Sequence, residues 1–438
     1  MSAWILLMWI AAALLLQLAV FAGIGFVRQW RAYLLLRRLA GAHGLVVDGL
    51  AVDGVAGADA APPAPAAWAG YRNFRVSRKV QEDASGQICS FYLAPQDKAP
   101  LPAFLPGQFL TLALDIPGQG GTTAAVVRCY SLSDAPQPEH YRITVKRAAA
   151  PANSALAPGL ASNYLNEHVA VGDVLRVRAP GGRFHLDRSK APVVLIGGGI
   201  GLTPLLSMLN GCLVQQPGRE LWLIYAVNHR DELVMSAHLK AMALEHPNFH
   251  LHLCLFEPPA APAEGTGDQA SALVHYHQGR ADLALLRQLL PLKPYHFYLC
   301  GPPAMLQSLV SALEEWGVPP ERIHFEAFGP ASVQRAQAAA APNPGPQVAS
   351  DVGPPVMVRF SKADKQFVWE PAMGSLLDFA QASGVRVDSG CRAGSCGSCQ
   401  TTIRSGEVRY LQTPDFDPEP GTCLLCVCVP KTDVTLEA

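Results

Sequence analysis

The sequence predicts a multidomain chain: an N-terminal transmembrane helix, an antiparallel β-barrel, a doubly wound α/β domain and a small β-rich domain at the C-terminal end. Three observations carry this. The run Trp4 to Phe26 holds no charged residue and is long enough to cross a bilayer as a helix. Two stretches dominated by Ala, Gly and Pro, Gly41 to Ala67 and Ala331 to Pro354, separate the rest into a central block and a tail. Within the central block, alternating segments give way near Leu186 to apolar runs separated by helical stretches.

The predicted divisions are an anchor over 1–28, a juxtamembrane segment and linker over 29–66, the barrel over 67–188, the α/β domain over 189–330, a second linker over 331–354 and the last domain over 355–438. No positive charge precedes the apolar run, and the run outlasts the core of a typical signal peptide, so an anchor suits it better than a cleaved signal. Arg28, Arg31, Arg37 and Arg38 follow it directly. By the positive-inside rule they predict a single-pass protein of the inner or cytoplasmic membrane, with its bulk facing the cytoplasm. Reduced thiols are expected there, not a disulfide framework. The segment Trp30 to Leu39 either lies along the membrane surface or continues the helix into solvent. A formal net charge of −1 with 16% charged residues leaves no large basic field, which excludes nucleic acid as the expected partner.

Barrel strands are predicted at Phe109 to Leu114, Tyr141 to Val145 and Val174 to Arg178, from period-two alternation between Gly and Pro turns. The α/β rhythm runs through Val193 to Ile196, a helix from Pro204, Leu221 to Tyr225, a helix near Ser236 to Ala243, His250 to Leu255, Leu283 to Leu290 and His296 to Leu299. In the tail, Val356 to Phe360 and Gln366 to Trp369 read as strands, and Ser375 to Ser383 as a helix with Ser375 as N-cap and Gly384 just past its end. That pattern suits a β-grasp fold.

Cys391, Cys396 and Cys399, answered by a remote cysteine, have the C-x4-C-x2-C...C spacing that holds a plant-type [2Fe-2S] cluster. Interleaved glycines let the loop fold its backbone around a cluster, whereas zinc sites more often use two separated pairs. Cys423, Cys426 and Cys428 compete for the fourth position. The tail Leu424 to Pro430, followed by Asp433 to Leu436, resembles the closing segment of plant-type ferredoxins, with the ligand ahead of the proline. That resemblance selects Cys426.

Gly197-Gly198-Gly199-Ile200-Gly201-Leu202-Thr203-Pro204 follows the first apolar strand of the α/β domain and opens a helix. Glycines there admit a pyrophosphate close to the backbone, and a helix N-terminus supplies unpaired N–H groups; a tight turn alone would also use glycine. The pattern is G-x-G-x-x-P at Gly199, Gly201 and Pro204. Two further motifs join it: Arg128-Cys129-Tyr130-Ser131 after Pro106-Gly107-Gln108-Phe109, and Cys300-Gly301-Pro302-Pro303-Ala304-Met305. All three resemble, in order, the motifs of the ferredoxin-NADP reductase superfamily: the Pro-ended nucleotide loop, R-x-Y-S and C-G-P-x-x-M. The resemblance covers about Ala67 to Pro330.

It implies a flavin domain in the barrel, an NAD(P)H domain in the α/β unit and a ferredoxin domain behind them. Arg128, Tyr130 and Ser131 would offer the flavin a cation for its phosphate, an aromatic face and a hydrogen-bonding group near N5. Gly159, Ala161 and Ser162 resemble the second phosphate-binding turn; an ordinary N-cap serine is the alternative. Gly198, Gly199, Gly201, Thr203, Pro204, Cys300, Gly301 and Pro302 would hold the nicotinamide nucleotide. Glu326 matches a carboxylate near the flavin in similar reductases, and Phe328 would cover the flavin face, although Phe325 and Phe328 would equally pack a strand end. Ser131, Cys300 and Glu326 are thus the catalytic candidates.

The domain order resembles the phthalate dioxygenase, vanillate and phenylacetyl-CoA oxygenase reductases, and the barrel around Arg128 to Arg147 resembles the flavohaemoglobin reductase portion, which favours FAD over FMN. The expected protein is a membrane-anchored NAD(P)H oxidoreductase passing electrons through flavin and [2Fe-2S] to an oxygenase, desaturase or other redox partner. A redox sensor or scaffold without turnover, and a quinone acceptor, are the rival expectations. Arg230 is a candidate 2'-phosphate partner and Asp231 or Glu232 a ribose partner; similar reductases point to NADH.

Overall fold

A computed structural model describes residues 68, 70–118, 123–150, 158–256, 274–328, 356–411, 414, 416 and 418–438. The expected anchor, its arginines and both linkers lie outside the described residues. Among the described residues no helix is long and apolar enough to cross a membrane.

The first domain is built from β1 (Arg72–Gln81), β2 (Ile88–Pro95), β3 (Phe109–Pro117), β4 (Thr123–Ser131), β5 (Tyr141–Lys146) and β6 (Val174–Val177). They form an antiparallel sheet in the order β4-β3-β6-β1-β2-β5. A bridge from Leu132 to Ile143 joins the end of β4 to β5 and closes the barrel. Alternation drives the closure: Phe74 and Val76 of β1, Phe91 and Leu93 of β2, and Ile143 of β5 are fully buried in one core. Helix α1 (Leu160–His168) adds Ala161 and Leu165 to it.

The second domain contains β7 (Val193–Gly198), α2 (Leu202–Gln215), β8 (Leu221–Val227), α3 (Ser236–Glu245), β9 (Phe249–Leu255), β10 (Val274–Gln278), α4 (Leu283–Leu289), β11 (His296–Gly301), α5 (Pro303–Glu315) and β12 (Ile323–Ala327). All six strands are parallel, in the order β10-β9-β8-β7-β11-β12. β7, β8, β9 and β10 follow one another outward, and β11 then returns to the other side of β7. That reversal opens a crevice at the carboxyl ends of β7 and β11. Helix α2 starts two residues before the expected Pro204, because a proline in the first turn lacks only an N–H that would be unpaired there anyway. Strand β10 was not expected. Its sequence, VHYHQ, sits at the sheet edge and buries only Val274.

The third domain holds β13 (Met357–Phe360), β14 (Lys365–Val368), α6 (Leu376–Ala382), β15 (Gln400–Ser405), β16 (Val408–Tyr410), β17 (Thr422–Leu424), β18 (Cys428–Pro430) and β19 (Val434–Leu436). Its main sheet runs β14-β13-β19-β15-β17, with β13 and β19 parallel, and β16 pairs with β18. Leu376, Leu377, Phe379 and Ala380 of α6 pack on Val358, Phe360 and Leu436. As expected, Ser375 caps α6, in a reciprocal capping box with Asp378, and Gly384 follows it at φ +67°.

Candidate active site

The nucleotide crevice is made by two glycine turns pressed together. A Cβ on Gly201 would lie 2.2 Å from the Cys300 carbonyl oxygen, and one on Gly198 would lie 2.7 Å from Pro302 Cδ and 2.8 Å from Met305 Sδ. Gly301 is equally confined, 2.6 Å from Met305 Cε. Gly199 differs: its φ is +55° and a Cβ there would meet nothing within 4 Å. This open backbone, followed by the start of α2, leaves room where a pyrophosphate could approach the helix N-terminus. Thr203 Oγ1 donates to Ile200 O at 3.1 Å, and Thr203 and Pro204 are buried, so they shape the turn from below.

Cys300 and Glu326 stand opposite each other in the β11–β12 register. Cys300 is 0% exposed. Burial, helped by the Glu326 charge, pushes its thiol well above the ordinary value, so it stays protonated and is no nucleophile. Phe328, 41% exposed, follows the end of β12 and remains open to an incoming ring.

The expected flavin residues lie at the end of β4. Arg128 is exposed; it donates to Val127 O at 2.8 Å and forms no ion pair among the described residues, as a phosphate partner should. Tyr130 is half-buried, and burial pushes its phenol up against the opposing pull of Arg128. Ser131 is buried and pairs with Phe109. Just beyond, Asp134 ties this edge to the nucleotide domain. Its carbonyl accepts from Ser207 Oγ at 2.7 Å, its Oδ1 from Asn210 Nδ2 at 2.7 Å, and its Oδ2 lies 3.3 Å from Arg142 Nη1. Ser207 and Asn210 belong to α2, the helix that the glycine loop opens.

At α1, Gly159 and not Ser162 is the N-cap residue. Ser162 Oγ accepts from Ala148 N at 3.1 Å and donates to Gly159 O at 3.3 Å, while Ala161 points into the core. Ser162 is therefore committed to holding the turn. The first-turn N–H groups of α1, unpaired within the helix, are what this turn offers a phosphate.

The cysteine loop joins α6 to β15. It turns through left-handed residues, Arg392 at φ +56°, Gly394 at +76° and Gly397 at +68°, which aim backbone N–H groups inward. Ala393 N and Ser395 N donate to Cys391 Sγ at 3.4 and 3.2 Å, and Cys391 N donates to Cys396 Sγ at 3.3 Å. Cys396 interacts with Cys391, and Cys399 with Cys426, which also receives the Gly394 N–H. Among the described residues no three His, Cys, Asp or Glu side chains converge on one ion. Two thiol pairs under a canopy of N–H donors fit instead a two-iron cluster, two thiolates to each iron. Cys423 and Cys428 interact with each other in the core and are 0% exposed, which leaves Cys426 for the fourth position.

Family models match each part of the chain: an oxidoreductase FAD-binding domain over residues 74–186, an oxidoreductase NAD-binding domain over 195–311 and a 2Fe-2S iron-sulfur cluster binding domain over 361–431. The FAD/NAD-binding domain of a flavohaem-like nitric oxide dioxygenase from Vibrio cholerae O1 biovar El Tor is 31% identical, with 60% of this chain and 100% of that one covered and a TM-score of 0.50. This chain belongs to the ferredoxin-reductase-like FAD/NAD flavoproteins with a C-terminal plant-type [2Fe-2S] domain. Phthalate dioxygenase reductase, described as a modular structure for electron transfer from pyridine nucleotides to [2Fe-2S], is 26% identical over 84% of this chain and 98% of its own, with a TM-score of 0.48. The flavohemoprotein of Halalkalibacterium halodurans is 39% identical over 272 residues, 62% of this chain. The chain spans 63% of the length of that curated relative.

The matched domains give the chain binding sites for FAD, NAD(P)H and a [2Fe-2S] cluster. Sequence reasoning passed over two parts of this flavoprotein's site. Asp134 and its α2 partners carry no motif, and Cys129 sits unremarked inside R-x-Y-S. Its Sγ lies 3.5 Å from Thr111 Oγ1, and the Thr111 carbonyl accepts from Arg178 N, whose Nη1 reaches Cys396 O of the cluster loop at 3.5 Å. A thiol at the unspecified position of R-x-Y-S was the available signal.

Proposed function

We propose that the chain delivers electrons from NAD(P)H to a protein acceptor, an oxygenase or desaturase or a similar redox enzyme, at a membrane surface. One observation carries the electron route: β4 reaches both ends of it. Beyond its last residue Asp134 is fastened to the helix of the nucleotide loop, and Cys129 within it lies beside Thr111, whose carbonyl binds Arg178, the residue that reaches Cys396 O in the cluster loop. A flavin held by Arg128, Tyr130 and Ser131 would supply the conversion of a two-electron hydride into single electrons, the form in which a cluster held by Cys391, Cys396, Cys399 and Cys426 would carry them. The protein's part is to orient and to exclude. Gly198, Gly201 and Gly301 let two turns close on each other, Asp134 fixes the barrel edge against α2, and neutral Cys300 adds no competing charge.

Anaerobic addition of NADH or NADPH to the holoprotein tests this. Flavin absorbance should bleach and the reduced-cluster EPR signal should appear; a bleached flavin beside a cluster that stays oxidised would sink the reading.

Support for NADPH as well as NADH lies beyond β8. Arg230 stacks 5.2 Å over the Tyr276 ring and donates to its hydroxyl at 3.4 Å, Lys240 also reaches that hydroxyl, and Glu232 is drawn to Lys146, 3.7 Å away. Arg230 and Lys240 are the cations at this strand end and suit a 2'-phosphate, while Asp231 beside them is the carboxylate that suits a free ribose hydroxyl. The anchor over 1–28 rests on the charge-free run Trp4 to Phe26 and the arginines that follow it, and supports a place at the inner or cytoplasmic membrane with the reductase facing the cytoplasm.

A further inference from the structure

Strand β6 and the residue after it carry two arginines that use their charges differently. Arg176 is exposed and paired: its Nη2 lies 2.8 Å from Asp115 Oδ1. Arg178 is half-buried and forms no ion pair among the described residues. Its backbone N–H donates to Thr111 O at 2.9 Å, which anchors it to β3. Its guanidinium lies over the Tyr71 ring, 4.9 Å from the ring centre, a cation–π contact that holds the side chain in place. From there Nη1 crosses to the cluster loop and donates to the carbonyl oxygen of Cys396 at 3.5 Å. Arg178 Nε is buried and has no hydrogen-bond partner among the described residues.

A cation drawn part-way out of water with no anion beside it is costly, and the cost is met where a negative charge stands nearby. No carboxylate of the described residues supplies that charge to Arg178. Beyond the Cys396 carbonyl lies the loop of Cys391, Cys396 and Cys399. Four thiolates outweigh the charge of the iron–sulfide core they hold, so a bound cluster is anionic, and one-electron reduction makes it more so. We propose that Arg178 is a positioning residue for electron delivery and the barrel's counter-ion to the cluster: it seats the cluster loop through Cys396 O, and its unpaired charge raises the cluster's reduction potential while barrel and loop are in contact. This rests on the assignment of Cys391, Cys396, Cys399 and Cys426 to the cluster. A guanidinium is a permanent cation, so the effect needs no proton to move. One electron passes from reduced flavin to cluster, and no bond is made or broken. Contact with Arg178 makes the cluster the better acceptor, and loss of that contact makes it the better donor toward a partner.

The test is a redox titration of the full-chain holoprotein, followed by EPR of the reduced cluster, in wild type, Arg178→Met, Arg178→Lys and Arg176→Met, with iron and flavin content measured alongside. Arg178→Met removes the charge at similar length and should shift the electron partition between flavin and cluster about tenfold toward flavin, a fall of about 59 mV in the cluster's one-electron potential. Arg178→Lys keeps the charge without the planar fork and should retain most of the wild-type value. Arg176→Met removes a cation from the same strand that Asp115 already pairs, and should leave the potential where it was. Because Arg178 belongs to the barrel, any change it makes in the cluster's potential is felt only across the contact between the two domains. An unchanged potential in Arg178→Met overturns the proposal, as does an equal fall in Arg178→Lys, which would make the effect one of shape, or in Arg176→Met, which would make it one of general surface charge. Should Arg178→Met not load its cluster, Arg178→Gln, neutral but still an N–H donor, takes its place, and equal potentials in Arg178→Gln and Arg178→Lys overturn the proposal. A wild-type protein with no [2Fe-2S] signal would instead refute the cluster assignment beneath it.

Discussion

Gly201→Ala would place a Cβ 2.2 Å from the Cys300 carbonyl oxygen, 2.5 Å from its carbon and 2.7 Å from Gly301 N. All three are backbone atoms, so no side-chain rotation relieves the overlap. Ordinary contact begins at 3.4 Å, and the two turns must therefore separate by about 1 Å at the point where both present the nucleotide site. Overpacking of this kind costs about 1–3 kcal/mol of stability, and a misplacement of about 1 Å costs roughly 100-fold in a positioned reaction. Gly199→Ala is the internal control. Its Cβ enters open space, so the nucleotide-free protein bears only the left-handed strain of φ +55°, about 1–2 kcal/mol. Steady-state ferricyanide reduction with NADH and NADPH, together with thermal unfolding without nucleotide, separates the cases. Gly201→Ala should lose about 100-fold in kcat/KM, with kcat falling and the melting temperature lowered. Gly199→Ala should act mainly through KM, because its methyl group occupies the space a pyrophosphate needs. A Gly201→Ala protein with wild-type kcat/KM and melting temperature would refute the account of the paired turns.

Cys426→Ser should lose the cluster while Cys423→Ala and Cys428→Ala keep it, as read by iron content and the EPR signal of the reduced protein. At the seam between barrel and nucleotide domain, Arg219, whose side chain is 1% exposed, pairs with Asp187 at 2.5 Å and also donates to Ala191 O at 2.7 Å. Burial raises the Asp187 pKa, but hydrogen bonds from Arg219 and Ser189 and the Arg219 charge outweigh it, and the carboxyl ends below its ordinary value. That stabilisation is complete above the unfolded carboxylate pKa and fades as pH falls through the depressed folded value. Arg219→Met should lower stability by about 3 kcal/mol near neutrality and flatten the wild-type loss below about pH 4, measured as melting temperature against pH. For Arg230→Ala, kcat/KM with NADPH should fall further than kcat/KM with NADH; an equal fall for both would remove Arg230 from the 2'-phosphate role.

Local, contiguous signals were the legible ones. The glycine loop, R-x-Y-S, C-G-P-x-x-M and the C-x4-C-x2-C run each lie within about ten residues of sequence, and the structure places the first three at strand ends and the last in the loop before β15. Cys426 needed a resemblance to be chosen over Cys423 and Cys428, because spacing alone does not say which of three neighbouring thiols faces the loop. Only the pairing of β15 with β17 and of β16 with β18 turns the other two into the core. β10 stayed hidden because its histidines break the apolar signature of a buried strand, and an edge strand needs little of one. The barrel-to-cluster contact was illegible for a different reason. Arg178 and Cys396 lie on separate domains, and no periodicity records which surfaces meet.

Asp134 sets a rule for anyone exchanging parts among these flavoproteins. The break near Leu186 looks like the place to cut, yet part of the barrel's hold on its neighbour comes from Ser207 and Asn210, inside the first helix of the nucleotide domain. A graft joined at the linker but lacking those two side chains would keep the Arg219–Asp187 pair at the join and lose the contacts that fix the barrel edge against that helix. Compatibility between modules is thus written in a helix face as well as in the join.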